Sequence, residues 1–216
     1  AVGISSRPSR RPPIGRYARA SSSRKAISEG SLGRARGGEA GGVDLSDDLS
    51  ITCARLNHPG GVLAYRIDYQ GRSLVYATDT EHYSVPDPKL VRLASGADLL
   101  IYDAQYDDAE YSGEVGGVPR TGWGHSTFSE GIRVANAAGV GRLALFHHDP
   151  SHSDDHVAAI EASAQKIRPG TFACREGQSL AIASAMSVVL EWRSPHEWVF
   201  DTVCGDRSEE HTSELQ

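Results

Sequence analysis

Residues 127–149 read TFSEGIRVANAAGVGRLALFHHD, and the fold class turns on them. Thr127-Phe128-Ser129-Glu130 has the spacing of a helix-opening capping box. Ile132, Val134, Ala135 and Ala138 continue the helix, and Gly139 stops it. Arg142-Leu143-Ala144-Leu145-Phe146 is then almost continuously apolar, the pattern of a strand covered on both faces. It breaks into His147-His148-Asp149, three polar groups directly after a buried strand, where burial without partners is costly. A helix feeding a doubly covered strand is the unit of a layered α/β fold.

Working outward, Asp98–Tyr102 is a second buried strand, and Asp87-Pro88 supplies an N-cap with Pro at N1 for a short helix through Ala94. Ile51–Leu56 alternates as a strand. Gly61–Tyr69 and Ser73–Thr78 flank the turn Gln70-Gly71-Arg72 as a hairpin. Downstream, Ser153-Asp154-Asp155 opens a helix carrying Val157, Ile160 and Ala164, which Pro169-Gly170 closes. Ser179–Ile182 is a last strand of the domain. Ser187–Trp192 has the composition of one more, and no pattern follows it. This predicts an α/β domain over 43–183 and an extension of uncertain character over 184–206.

The flanks differ. The 216 residues carry a net charge of −6, yet residues 1–40 hold nine Arg or Lys against Glu29 and Glu39. Residues 1–42 have few large apolar side chains and no period. They cannot offset roughly 1–2 kcal/mol of backbone entropy per residue, so they are expected to be disordered, or not native coding sequence. As a nucleic-acid tail they are a weak match, with no aromatic interleaving beyond Tyr17. Residues 207–216, RSEEHTSELQ, resemble the translation of a sequencing-library adapter and are expected to be non-native. No window approaches ~18 consecutive apolar residues, which excludes a spanning helix and predicts no membrane partner. No apolar stretch follows the basic start, so no secretory leader is expected. Cys53, Cys174 and Cys204 are widely spaced, which argues against a disulfide framework or zinc ribbon and for a reducing, cytoplasmic setting. Nothing in the pattern specifies an oligomer.

Three polar residues follow predicted strands: His58 in LNHPGG, Asp79 in YATDTE, and His147 in LFHHDP. Ligand-binding residues gather at the carboxyl ends of strands in such folds. Two imidazoles and a carboxylate suit Zn²⁺, Mn²⁺ or Fe. Singly, His58 before Pro-Gly-Gly also reads as an ordinary turn residue, and Asp79 as a strand-end cap.

Together with DLLIYD at 98–103 and GWGHST at 122–127, these runs resemble the metallo-β-lactamase superfamily, and within it the branch holding ribonuclease Z and the phosphoribosyl cyclic phosphodiesterase. The resemblance covers about 43–183 and implies the C-terminal half of an αββα sandwich that binds two divalent metals, most simply Zn (Mn or Fe otherwise). It implies that His58 and His147 are ligands of one metal each, that Asp79 bridges both, and that His125, of the His-Ser-Thr motif, contacts the scissile phosphate or leaving group. His148 is a weaker ligand candidate. Independently, His125 stands just before the helix start at 127, which favours anions. The superfamily's His-x-His-x-Asp-His motif occurs nowhere among the nine histidines.

Three function classes follow from the resemblance: a metal-dependent hydrolase of a small phosphodiester or nucleotide; the same scaffold acting on a thioester or lactone; and a non-catalytic domain that has lost its metal centre. The His-Ser-Thr motif and an aspartate at the bridging position favour the first. Three expectations follow for the chain as it stands. His58, Asp79 and His147 should converge at one sheet edge. Val62, Ala64, Val75 or their neighbours should lie on an uncovered sheet face. The chain alone should not turn over.

Overall fold

The computed structural model describes residues 40–44, 48–176, 178–183, 186–194 and 197–204. The segments expected to be disordered or adapter-derived, 1–39 and 207–216, lie outside the described residues.

A seven-stranded sheet has the order β1 (Ala40–Asp44), β2 (Leu49–Leu56), β3 (Val62–Tyr69), β4 (Arg72–Ala77), β5 (Leu99–Asp103), β6 (Arg142–Phe146), β7 (Phe172–Ala173). Strands β1 to β4 pair antiparallel, and β4 to β7 pair parallel. Two reversals make β2 run parallel to β4, so β2, β4, β5 and β6 all end at one edge. The hairpin between β3 and β4 turns on Gln70 and Gly71, both at positive φ, the geometry a two-residue hairpin loop requires.

Among the described residues, four helices follow the sequence's own punctuation. Helix α1 (Pro88–Ala94) is capped by Asp87, whose carboxylate accepts the Lys89 N–H at 2.8 Å. Helix α3 (Phe128–Ala138) is capped by Thr127, whose hydroxyl accepts the Glu130 N–H at 3.3 Å. The reciprocal arm expected there does not form, because the Glu130 carboxylate bonds Arg133 instead. The complete capping box belongs to α2 (Asp108–Ser112), a five-residue helix that the sequence reading passed over: Asp107 accepts from Glu110 N–H, and Glu110 accepts from Asp107 N–H. Helix α4 (Asp154–Ile167) starts at Ser153 with two acidic residues in its first turn.

Buried Leu90, Leu93, Ile132, Val134 and Ala135 of α1 and α3 pack on Val75, Leu100, Leu143 and Leu145 of the sheet. Each such aliphatic side chain contributes about 1.5–3 kcal/mol on burial. On the opposite face Leu74, Leu99, Ile101 and Phe146 meet Leu180 of β8 (Ser179–Ala183). Strand β8 opens a second, antiparallel sheet with β9 (Met186–Ser194) and β10 (Glu197–Cys204).

Two expectations need correction, and a third resolves to one of its alternatives. Strand β1 begins at Ala40, inside the stretch assigned to disorder, because its backbone pairs with β2 without needing large side chains. Residues 197–204, where no pattern is legible in the sequence, form β10. The uncovered face is that of the neighbours. Ala64 and Val75 are buried beneath helices, whereas Leu63 and Tyr65 are 45% and 42% exposed.

Candidate functional site

The shared sheet edge collects the strand-end residues. His58 lies two residues past β2, Asp79 two past β4, and His147 directly past β6. His147 Nε2 comes within 3.3 Å of Asp79 Oδ1. One ligand atom from each of His58, Asp79 and His125 lies within 4.8 Å of the other two, and the same holds for Asp103, His125 and His147. The His125 and His147 rings stack at 5.0 Å, and the His58 ring stands edge-on to His125 at 5.9 Å. The three expected ligands and His125 are therefore one cluster. His148 is not part of either group, and both its ring nitrogens are buried without a hydrogen-bond partner among the described residues.

Asp79 and His147 both adopt positive φ, 56° and 60°. Asp and His are among the few non-glycine residues enriched in that region. These kinks turn the side chains inward at the ends of parallel strands.

Asp103, the last residue of β5, organises the centre. It is fully buried and accepts the N–H groups of Thr80, Gln105 and Ser126 at 3.1–3.2 Å. Its remaining bond, at 3.0 Å, is to His125 Nδ1. The proton on His125 is thereby placed on Nδ1, and Nε2 is left for other chemistry. His147 is treated alike: its Nδ1 faces the Gln105 carbonyl oxygen at 3.2 Å, while the Gln105 amide donates to Tyr106. With Nδ1–H so committed, Nε2 and Asp79 Oδ1 face each other as two acceptors, a pair that calls for a proton or a cation between them. The His147 bond holds the Asp79 carboxyl below the usual range, against the opposing cost of burial. Burial pulls the His147 imidazole down, but the Asp79 bond and the charges of Asp103 and Asp79 outweigh it and raise it.

His58 is set differently. Its Nδ1 accepts the Gly60 N–H at 3.0 Å, so in the neutral ring the proton sits on Nε2. Binding a cation through Nε2 exchanges that contact for a protonated Nδ1. The donor set thus fits a divalent metal at Asp79 and His147 as it stands, and at His58 after the loss of one exposed hydrogen bond.

A second carboxylate anchors the His125 loop. Glu81 is buried and accepts the Tyr111 hydroxyl at 2.8 Å and the Gly122 and Gly124 N–H groups at 2.6 and 3.0 Å. Its backbone exchanges bonds with Asn57, the residue before His58. Gly124 is at φ 93° and packs so closely on the His58 ring that a Cβ there would lie 2.3 Å from Cδ2. The sequence reading quoted Asp103, Glu81 and Gly124 within its motifs but gave them no role. Asp103 ends the run DLLIYD, Glu81 lies four residues past β4 and Gly124 stands one residue before His125, local features that by themselves point to no role.

Among the described residues no helix is long and apolar enough to cross a membrane.

The chain is similar to ribonuclease Z of Brevibacillus brevis, 37% identical over 105 residues, covering 47% of this chain and 30% of the relative. It is similar to ribonuclease Z of Myxococcus xanthus, 34% identical over 125 residues, covering 58% of this chain and 37% of the relative. The chain thus spans about a third of the length of the curated relatives it matches. Among solved structures, human tRNase Z, short form, superposes with a TM-score of 0.51 at 18% identity over 67% of this chain and 48% of that one, a likeness of fold. Residues 29–148, more than half of the chain, match the family model described as a beta-lactamase superfamily domain, a match that starts inside the stretch expected to be non-native, and the chain belongs to that family.

Proposed function

We propose that this chain is the C-terminal part of a metal-dependent phosphodiester hydrolase, with His58, Asp79 and His147 as metal ligands and His125 as the catalytic residue. The observation that carries the reading is the 3.3 Å approach of His147 Nε2 to Asp79 Oδ1 with the other ring nitrogen already committed. Metal-binding histidines characteristically donate their second N–H to a carbonyl or carboxylate in this way. When bound, divalent ions supply Lewis acidity toward a phosphoryl oxygen. The chain's own residues do the rest. Asp103 holds His125 in the Nδ1–H tautomer and stabilises the ring when it is charged, so that Nε2 can hold a proton for the departing oxygen. Gln105 holds the His147 ring. Gly124 allows the His125 loop to close against His58.

Two metals, most simply zinc, would be held in the intact protein with His58, Asp79 and His147 among their ligands. The ribonuclease Z relatives favour an RNA phosphodiester over the small phosphodiester or nucleotide first expected. The 216-residue chain carries no His-x-His-x-Asp-His motif. Stable zinc sites ordinarily have three or four protein ligands, so the chain alone is expected to be inactive.

The test is an assay of the chain alone and of the chain fused behind the first-half segment of the Brevibacillus brevis relative. Substrates are precursor tRNA, cyclic nucleotides and an aryl phosphodiester. The fusion should cleave precursor tRNA, and His125→Ala should cut turnover about 10²–10⁴-fold without changing metal content. Turnover by the unfused chain, or an unimpaired His125→Ala fusion, overturns the assignment. Cleavage of cyclic nucleotides alone overturns the RNA substrate.

A further inference from the structure

A second cluster of ligand-type side chains lies outside the centre at Asp79 and His147. One ligand atom from each of Glu110, His152 and His156 lies within 4.8 Å of the other two. The His152 side chain is only 5% exposed, and its Nε2 meets Glu110 Oε1 at 2.8 Å. The two imidazoles stack at 4.0 Å with a 28° tilt. His156 Nε2 stands 3.8 Å from Asp107 Oδ2, too far for a hydrogen bond. His152 Nδ1 and His156 Nε2 are both buried and without a partner among the described residues. Leaving a buried polar atom unpaired is costly, and the orphaned His156 Nε2, on a ring stacked against His152, calls for a ligand beside the Glu110–His152 pair.

We propose that Glu110, His152 and His156 form a second site, distinct from the candidate catalytic centre, that takes one divalent ion of the zinc class. Two imidazoles with carboxylate oxygen are a common zinc donor set. Ligand atoms bound to one tetrahedral zinc at roughly 2.0–2.1 Å sit roughly 3.3 Å apart, so closing the cluster takes movements of about an ångström. The supports are already rigid. Glu110 Oε2 is fixed by the α2 capping box, which leaves Oε1 for the ion. The His152 N–H is held by Asp149 O, and the His156 N–H by the Ser153 cap. Asp107 Oδ2 is the nearest further oxygen. A groove of about 300 Å³ lined by Asp107, Asp108, Phe128 and Ile160 opens beside His156 and gives the ion a path in. The ion would pin α2 to the start of α4. Those segments follow β5 and β6, whose ends carry Asp103 and His147, so its role is to stiffen the rim of the candidate centre.

The site is tested by cobalt(II) and zinc titration of the purified chain, read by metal stoichiometry, cobalt ligand-field absorption and thermal midpoint. His156 is more than a third exposed, so His156→Gln removes a ligand with little risk to folding. The expected result is one metal equivalent fewer in His156→Gln than in the parent, with an unchanged midpoint in chelator. In an Asp79→Asn/His147→Asn background one equivalent should persist, raise the midpoint, and vanish on adding His156→Gln. Equal stoichiometry in parent and His156→Gln overturns the proposal. So does a background that binds no metal while still showing a cooperative melt.

Discussion

Glu81 offers the sharpest test of how the site is held. Its carboxylate ends three bonds, from the Tyr111 hydroxyl and from the Gly122 and Gly124 amides, and Gly124 is the residue against which His58 packs. Glu81→Ala removes all three acceptors and adds none. A buried donor left unpaired costs about 1–3 kcal/mol. Gly124 N–H is buried and bears that cost in full. Gly122 is exposed and water replaces its acceptor, and the Tyr111 hydroxyl falls between. The sum is about 2–4 kcal/mol. For a chain of this size each kcal/mol moves the midpoint by about 2–4 °C, so thermal denaturation should show a drop of about 4–16 °C. Glu81→Gln keeps the shape and one acceptor oxygen and should fall between parent and alanine variant. Local loosening is read separately by trypsin. Arg120, whose guanidinium packs over Trp123 at 4.5 Å, should be cut faster in the alanine variant than in the parent under native conditions. An alanine variant that melts within about 1 °C of the parent, with unchanged cleavage at Arg120, refutes the anchoring role of Glu81.

Other expectations concern different residues. Gly124→Ala places a methyl 2.3 Å from His58 Cδ2 at φ 93°, and should lower urea stability by about 2–4 kcal/mol with the slope unchanged. Asp103→Asn halves the acceptors available to the Thr80, Gln105 and Ser126 amides and should cost about 2–4 kcal/mol; histidine ¹⁵N spectra should also show His125 losing its fixed tautomer. Burial, helped by the charge of Glu161, pushes the Cys174 thiol up to about 12. The folded value is raised, so this contribution to stability is complete below the unfolded value of about 8.5 and is lost as pH rises from there toward 12. Native Cys174 should resist a thiol reagent at pH 8, and Cys174→Ala should flatten the alkaline fall in stability; prompt labelling of Cys174 in the folded chain contradicts this.

What the sequence discloses and what it hides divide along physical lines. Strands β5 and β6 are legible because both faces are covered and every position is apolar. The helix starts at Asp87, Thr127 and Ser153 are legible because capping is local chemistry. Strand β1 escapes because Ala40-Gly41-Gly42 has no side chains to alternate. Helix α2 escapes because five residues with no buried side chain carry no period. Which face of β3 is uncovered stays open in the sequence, because parity in a strand exchanges the two faces outright, Leu63 and Tyr65 for Ala64. The four residues named for the centre are legible because each punctuates an element: a strand's end for His58, Asp79 and His147, a helix's approach for His125. Asp103 and Glu81 are not, because their worth lies in backbone amides contributed from more than twenty residues away. Glu110 and His152 meet across 42 positions, a distance no local pattern spans.

The positive φ at Asp79 and His147 has a bearing on how these positions tolerate exchange. A left-handed backbone costs an ordinary residue about 1–2 kcal/mol, so alanine is not a neutral probe at either place. At position 147 glycine should give the more stable chain than alanine, the reverse of their order in a helix. The turns also narrow the choice of donor. Glutamate in place of Asp79, or cysteine in place of His147, would still offer a ligand atom, yet neither sits readily in that backbone. The chain at the ends of β4 and β6 therefore selects among side chains by conformation, whatever chemistry each of them offers.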